Sequence, residues 1–198
     1  MKKRIVPKTT LILLLFTLLL AWSAVLPGRA DSLIKSKEFT TRTFYADGDD
    51  DEVEFTENFG FAGDSYLNSG RFRMDITLTP VYNSIWISSD GERANLATEP
   101  AIVNLINGRL NARIDTATGG EFQPDYGSDG MIRSFRYSRS DLLSDDLTYA
   151  NFTVTLPDEY AIESLFYQYG EDLEIDDVQY SVKFNVKVSI YGNAPGIK

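Results

Sequence analysis

Strict alternation in the last long run of residues constrains the fold of this chain more than any other feature. Between Tyr180 and Tyr191, apolar side chains occupy every second position and polar side chains occupy the positions between them. The apolar set consists of Val182, Phe184, Val186, Val188 and Ile190. Neighbouring side chains of a β-strand point to opposite faces, so this run predicts a strand with one apolar and one polar face. The apolar face requires a second sheet to cover it.

Shorter segments repeat this strand pattern between turn-forming residues. The predicted strands are Ser32 to Tyr45, Arg71 to Thr79, Ser84 to Ser88, Met131 to Ser138 and Leu147 to Leu156. Pro80 is expected to end the second of these, because proline donates no hydrogen bond to a neighbouring strand. Together the segments predict an all-β fold, a two-sheet antiparallel sandwich of jelly-roll or Ig-like type with one short helix. A closed barrel is the alternative architecture.

Two segments bear on the helix content. Residues 158–170 place apolar side chains at helical spacing, and Gly170 can cap the C-terminus, so they predict the short helix. Residues 101–115 have two interpretations: a capped helix that follows Pro100, or a hairpin whose turn is Asn107-Gly108. We favour the hairpin, because its register would place apolar residues opposite one another along one whole face.

The N-terminus has the features of an export signal. Basic residues precede an apolar run that begins at Leu11, and Gly28 and Ala30 are the small residues of a cleavage site. A second site could follow Ser23, and an uncleaved anchor is the alternative, although the run is shorter than the ~20 residues that span a membrane. We therefore expect residues 1–30 to be removed and residues 31–198 to form a single secreted or cell-surface domain, with loose ends at 31–37 and 192–198.

The net charge and the absence of two residue types exclude several classes of function. The chain has a net charge of −10, and removal of the five basic residues of the leader would leave −15. Such a surface repels nucleic acids and anionic lipids, so we expect no nucleic-acid partner and no membrane contact after cleavage. The sequence contains neither cysteine nor histidine. Serine or cysteine catalysis that uses a histidine base is therefore excluded, as are the usual zinc sites.

An acidic turn offers a candidate metal site. Asp47, Asp49, Asp51 and Glu52 lie within six residues, and we expect Val53 to Phe55 to return from this turn as the second strand of a hairpin. Calcium binds six to eight oxygen ligands in irregular geometry, so the turn predicts a Ca²⁺ site, although it does not fit the EF-hand pattern. A solvated turn that keeps the protein soluble is the alternative. A second acidic run occupies residues 171–177.

Aromatic residues supply the candidate ligand platforms. Trp86, Tyr126 and Tyr137 lie near loops or on strand faces that alternate with apolar positions, although packing into the core is the alternative for each of them. The first functional hypothesis is a non-enzymatic surface or matrix protein that acts by binding or by self-association through strand edges. The second is a calcium-assisted carbohydrate-binding module, and the third is a small hydrolase that uses two carboxylates.

Overall fold

Two antiparallel β-sheets pack face to face, and a short helix lies beside them. The computed structural model describes residues 32–46, 51–59, 70–115, 119–158, 160, 162–164 and 175–192, all within the unit Ser32–Lys198. The predicted leader lies outside these residues, as does the predicted loose end beyond Gly192. The prediction of an all-β sandwich is confirmed.

The strands divide into a seven-stranded and a four-stranded sheet. The larger sheet has the order β1-β11-β4-β9-β8, in which β2 also pairs with β11 and β5 with β4. Its strands are β1 (Ser32–Thr40), β2 (Phe44–Ala46), β4 (Phe72–Ser89), β5 (Glu92–Asn95), β8 (Gln123–Tyr126), β9 (Ile132–Leu142) and β11 (Asp177–Gly192). The smaller sheet has the order β3 (Asp51–Asn58), β10 (Tyr149–Leu156), β6 (Asn111–Asp115) and β7 (Gly120–Glu121). Helix α1 spans Pro100–Arg109, and Asp145–Leu147 forms a 3₁₀ turn.

β11 forms the centre of the core, as its alternation predicts. Its apolar positions are buried, and Phe184 stacks on Phe55 of the opposite sheet with 6.3 Å between ring centroids. Phe55 in turn stacks on Phe152 at 4.8 Å. Each fully buried large apolar side chain contributes about 1.5–3 kcal/mol to stability. Aromatic contacts between the inner faces therefore help to hold the two sheets together.

β4 is longer than the sequence predicts. It continues through Pro80 to Ser89 and pairs with β11 along its whole length. Pro80 is tolerated because the pairing of β4 with β9 has already ended at Leu78. An irregularity at Asn83 then shifts the register, since Val182 pairs with Tyr82 but Ser181 pairs with Ser84. This bulge reverses the inward and outward positions of the strand that follow it.

The favoured hairpin at residues 101–115 is wrong, and the alternative of a capped helix is correct. Asn107 lies in α1 rather than in a turn, with only 3% of its surface exposed. Its amide donates to the carbonyl of Ile132, while the Asn104 side chain accepts the Ile132 N–H. Tyr82 also donates to Asn107 at 2.7 Å, and burial raises the pKa of its phenol. These distant partners fix the helix against the start of β9.

The N-terminal part of the domain also differs from the predictions. Residues 32–37 are not a loose end, because they belong to β1 and pair with β11. β2 and β3 do not form a hairpin around the acidic turn, because β2 pairs with β11 and β3 pairs with β10 of the other sheet. β2 and β3 therefore belong to different sheets.

The predicted helix at residues 158–170 is only partly described. Tyr160 and residues 162–164 are helical, and the amide of Ile162 donates to the carbonyl of Asp158 at 3.3 Å. The remaining residues of that prediction, 159, 161 and 165–170, lie outside the described ones. Within the described part of the chain, no helix combines the length and apolar character needed to cross a membrane.

Candidate functional site

A depression with aromatic walls lies at one end of the seven-stranded sheet, on the face away from the core. It has a volume of about 360 Å³. We refer to it as the aromatic pocket, and it is lined by Tyr45, Ala46, Ser84, Trp86, Arg93, Gln179 and Tyr180. Four strands contribute these residues, namely β2, β4, β5 and β11. A site that is built on paired strands holds its side chains in fixed relative positions.

Strand register brings these side chains to the outer face. Ile85 and Ile87 are buried in the core, so Trp86 between them points outward. Trp86 pairs directly with Gln179 of β11. In the neighbouring row, Ser181 pairs with both Ser84 and Tyr45, which places Tyr45 across β11 from β4. The bulge at Asn83 is necessary for this arrangement, because the unshifted alternation of β4 would direct Trp86 into the core.

Arg93 connects the two sides of the pocket. Its guanidinium lies over the Trp86 ring, 4.7 Å from the ring centroid, and donates to the Gln179 side-chain oxygen at 2.8 Å. The turn at Asp90 and Gly91 brings β5 back beside β4, with both residues at positive φ (51° and 77°). Consecutive positive φ values are typical of a two-residue hairpin turn. This turn sets the register that places Arg93 beside Trp86.

The pocket combines flat apolar surface with hydrogen-bonding groups. The Tyr45 side chain is 75% exposed, and Trp86 is half-buried beneath Arg93. The Tyr45 hydroxyl, the guanidinium and the amide supply donors and acceptors around the rings. Among the described residues that line the pocket, there is no aspartate or glutamate. This lining is suited to binding and lacks the pair of carboxylates that glycoside hydrolysis requires.

The three predicted platforms do not come together. Trp86 lies in the aromatic pocket, whereas Tyr126 lies on the edge strand β8 and is 61% exposed. Tyr137 is only 5% exposed and packs against Phe122 at 5.8 Å. A ring buried in this way has no face open to a ligand from solvent.

The predicted calcium ligands can be placed only in part. Asp47 and Asp49 lie outside the described residues, as does the side chain of Asp51, whose backbone begins β3. Glu52 is exposed and lies 3.6 Å from the guanidinium of Arg113 on β6. Among the residues that the structure describes, no three acidic side chains group together in a way that could hold a metal ion.

The middle of the same outer face carries polar side chains that pair with one another. Lys187 contacts Glu38 at 2.8 Å, and Thr40 donates to the Asn185 side chain at 2.8 Å. We refer to these four residues as the paired strip. They border a shallow depression of about 510 Å³. Their hydrogen-bonding groups already have partners within the protein, so this larger depression offers a ligand fewer free groups than its size suggests.

Sequence reasoning identified Trp86 but not Tyr45, Arg93 or Gln179. Arg93 left a signal, because a two-residue turn at Asp90-Gly91 pairs it with Ser88, which lies on the same face as Trp86 and two residues from it. Tyr45 and Gln179 left none, since their positions depend on which strands lie beside β11.

Comparisons with protein families, curated proteins and solved structures gave no match to this chain. The functional inference therefore depends on the geometry of the site.

Proposed function

We propose that this protein is an exported, non-enzymatic binding module that acts at the cell surface or in the extracellular matrix, and that its aromatic pocket binds a saccharide. The observation that carries the proposal is the combination of the exposed Tyr45 ring, the Trp86 ring and the linked pair of Arg93 and Gln179 around one depression. The absence of histidine and cysteine from the sequence also favours binding over catalysis.

A saccharide fits the chemistry of this lining. Sugar rings present a C–H face that stacks on aromatic side chains, and hydroxyl groups at their rim that both donate and accept hydrogen bonds. Amphipathic tyrosine and tryptophan side chains match the first property. The guanidinium of Arg93 and the amide of Gln179 match the second. The pocket volume of about 360 Å³ suits one or two sugar units of a longer chain and lies in the range of small-molecule sites.

Calcium assistance is a separate proposal with its own support. Ala46 lines the aromatic pocket, and the acidic turn begins at the next residue, Asp47. The proposed calcium ligands therefore begin at the residue that follows the pocket wall in the sequence. If calcium assists binding, EDTA will weaken saccharide binding, and millimolar calcium will raise the melting temperature of residues 31–198.

The proposal is tested by binding of residues 31–198 to polysaccharides. Insoluble cellulose and chitin serve as probes in pull-down assays, and an array of soluble oligosaccharides extends the search. We expect retention on at least one glycan, and we expect Trp86→Ala to weaken it at least about 10-fold, equivalent to ~1.4 kcal/mol. Tyr149→Ala is the matched control, because Tyr149 is a 56% exposed tyrosine on the other sheet.

Two results would contradict this proposal. One is indifference of the folded protein to every glycan in the array. The other is retention that Trp86→Ala and Tyr149→Ala weaken equally. Either variant must melt like the parent protein for the comparison to count, since a loss of folding would also abolish retention.

A further inference from the structure

β1 forms one edge of the seven-stranded sheet, and its side chains are less buried than those of its partner β11. None of its nine residues is fully buried, whereas most residues of its partner β11 are buried. Within the described chain, β11 is the one strand with which β1 pairs. β1 is thus an edge strand whose contribution to the core comes from two partly buried side chains, Ile34 and Phe39.

The side-chain contacts of β1 are mostly between exposed polar groups. Glu38 contacts Lys187, and Thr40 donates to the Asn185 side chain. Lys37 reaches the other sheet, where it contacts both the Glu57 carboxylate and the carbonyl of Asn58. Contacts of this kind between solvent-accessible groups each contribute little to stability. These contacts determine the register in which β1 pairs with β11, but each adds little to the free energy that holds β1 in place.

Ile34 gives β1 a specific fit to the end of β11. A side chain at Gly192 would place its Cβ 3.1 Å from the Cδ1 atom of Ile34 and 2.7 Å from the ring of Phe72. The missing side chain of Gly192 therefore makes room for Ile34 on the sheet. Any segment that replaces β1 must match this space and the polar pairs described above. The segment that matches all of them is Ser32–Thr40 of another copy of the same chain.

We propose that β1 is an exchangeable strand, which pairs either with β11 of its own chain or with β11 of a second copy. Residues 41–43 lie outside any strand and form the pivot between β1 and β2. The backbone of Thr41 is held there, because its N–H donates to the carbonyl of Phe184. Since the exchanged form contains the same contacts as the monomer, higher protein concentration favours it.

Exchange covers the edge of β11 that would be left open if β1 departed. Without β1, the backbone of β11 from Asn185 to Gly192 would be an open edge, and open edges recruit strands from other molecules. β2 remains paired with residues 180–182 of β11 and keeps the rest of that edge covered. A reciprocal pair of chains or an open series of chains would both restore every contact. The proposal is independent of the saccharide site.

The test uses a cysteine pair that reports which chain supplies β1. Ser36 and Ser189 pair across β1 and β11 with 3.5 Å between their hydroxyl oxygens, and the chain has no native cysteine. The Ser36→Cys/Ser189→Cys variant is concentrated under reducing conditions and then oxidised. We expect covalent dimers and larger species on a non-reducing gel, and monomers alone when dilute protein is oxidised. Both sets of species collapse to monomer on reduction.

A second cysteine pair is the matched control. Ser84 and Ser181 pair across β4 and β11 with 2.9 Å between hydroxyl oxygens, and this pairing stays within one chain whether or not β1 is exchanged. The Ser84→Cys/Ser181→Cys variant should form monomeric cross-links at every concentration. Monomers alone from both pairs would overturn the proposal, as would intermolecular products from both. If the first variant does not fold, Glu38→Cys/Lys187→Cys provides the same readout on the same two strands.

Discussion

The outer face of the seven-stranded sheet contains two regions of opposite character. In the paired strip, the side chains of Glu38 and Lys187 hold each other, as do those of Thr40 and Asn185. In the aromatic pocket, the Tyr45 ring is three-quarters exposed, and the polar groups of Arg93 and Gln179 are gathered beside Trp86. The larger depression belongs to the paired strip and the smaller one to the aromatic pocket.

If the aromatic pocket is the binding site, as we propose, volume is a poor guide to a site on a polar sheet face. A ligand over the paired strip would have to replace hydrogen bonds that the protein already makes, so its net gain would be small. Arg93 also donates to Gln179 in the aromatic pocket, so the contrast between the two regions depends on the exposed Tyr45 ring. A ligand over the aromatic pocket covers exposed ring surface and gains from its removal from water. The following variants test this contrast, beginning with the largest expected effect.

Tyr45→Ala should have the largest effect of these four variants. Its ring is so exposed that the fold does not depend on it, and we expect an unchanged melting temperature. Saccharide affinity should fall about 10-fold through the loss of stacking surface. Titration of a soluble oligosaccharide by calorimetry measures the change. An affinity equal to that of the parent would remove Tyr45 from the site.

Arg93→Ala separates the cation from the ring beneath it. The variant removes the guanidinium that we propose donates to sugar hydroxyls, and a net hydrogen bond contributes roughly 1 kcal/mol, so we expect affinity to fall about 5-fold. Arg113→Ala is the control, because that exposed guanidinium lies 3.6 Å from Glu52 on the other sheet. A stronger effect from Arg113 than from Arg93 would contradict the assignment of the pocket.

The double variant Thr40→Ala/Asn185→Ala breaks one pair of the paired strip. We expect it to lower stability by about 0.5–1.5 kcal/mol, the net value of one hydrogen bond, and to leave saccharide affinity unchanged. Urea unfolding and the same calorimetric titration provide the two readouts. If affinity falls as far as it does in Tyr45→Ala, the ligand extends over the whole face, and the contrast between the two regions fails.

Lys187→Gln should have the smallest effect, a change in melting temperature that depends on pH. The hydrogen bond to Glu38 and the charge of that residue raise the pKa of Lys187. A group whose pKa is higher in the folded state stabilises the fold fully below its unfolded pKa of about 10.4 and loses this effect as pH rises through the folded value. The difference in melting temperature between wild type and Lys187→Gln should therefore disappear in that alkaline range. A difference that persists beyond it would assign the effect to packing.

Alternation alone was enough to predict the centre of the sandwich. β11 is buried on every second residue along nearly its whole length, and no distant partner is needed to see that from the sequence. β4 shows where this reasoning stops, because the bulge at Asn83 reverses the parity and joins two apparent strands into one. A bulge inserts one residue without any required residue type, so the sequence pattern could not reveal it.

The predictions of the helix and of the site failed for a different physical reason, because both structures depend on partners that are distant in the sequence. Asn107-Gly108 is a strong local turn signal, yet Asn107 forms buried hydrogen bonds with Tyr82 and Ile132, and both lie 25 residues away. Tyr45, Trp86 and Gln179 likewise meet only because β2 and β4 flank β11. Local patterns predict which face a residue occupies but not which strands become neighbours.

The pairing of Ser32 with Gly192 has a consequence for how the protein would be displayed. The two ends of the described chain lie side by side at one end of β11, and the row containing Gln179 lies near the other end. At ~3.3 Å per residue, about 40 Å separates them along the strand. Attachment to a solid support at either Ser32 or Gly192 would therefore orient the aromatic pocket away from the support, so the two attachment points should serve equally well in surface-based assays.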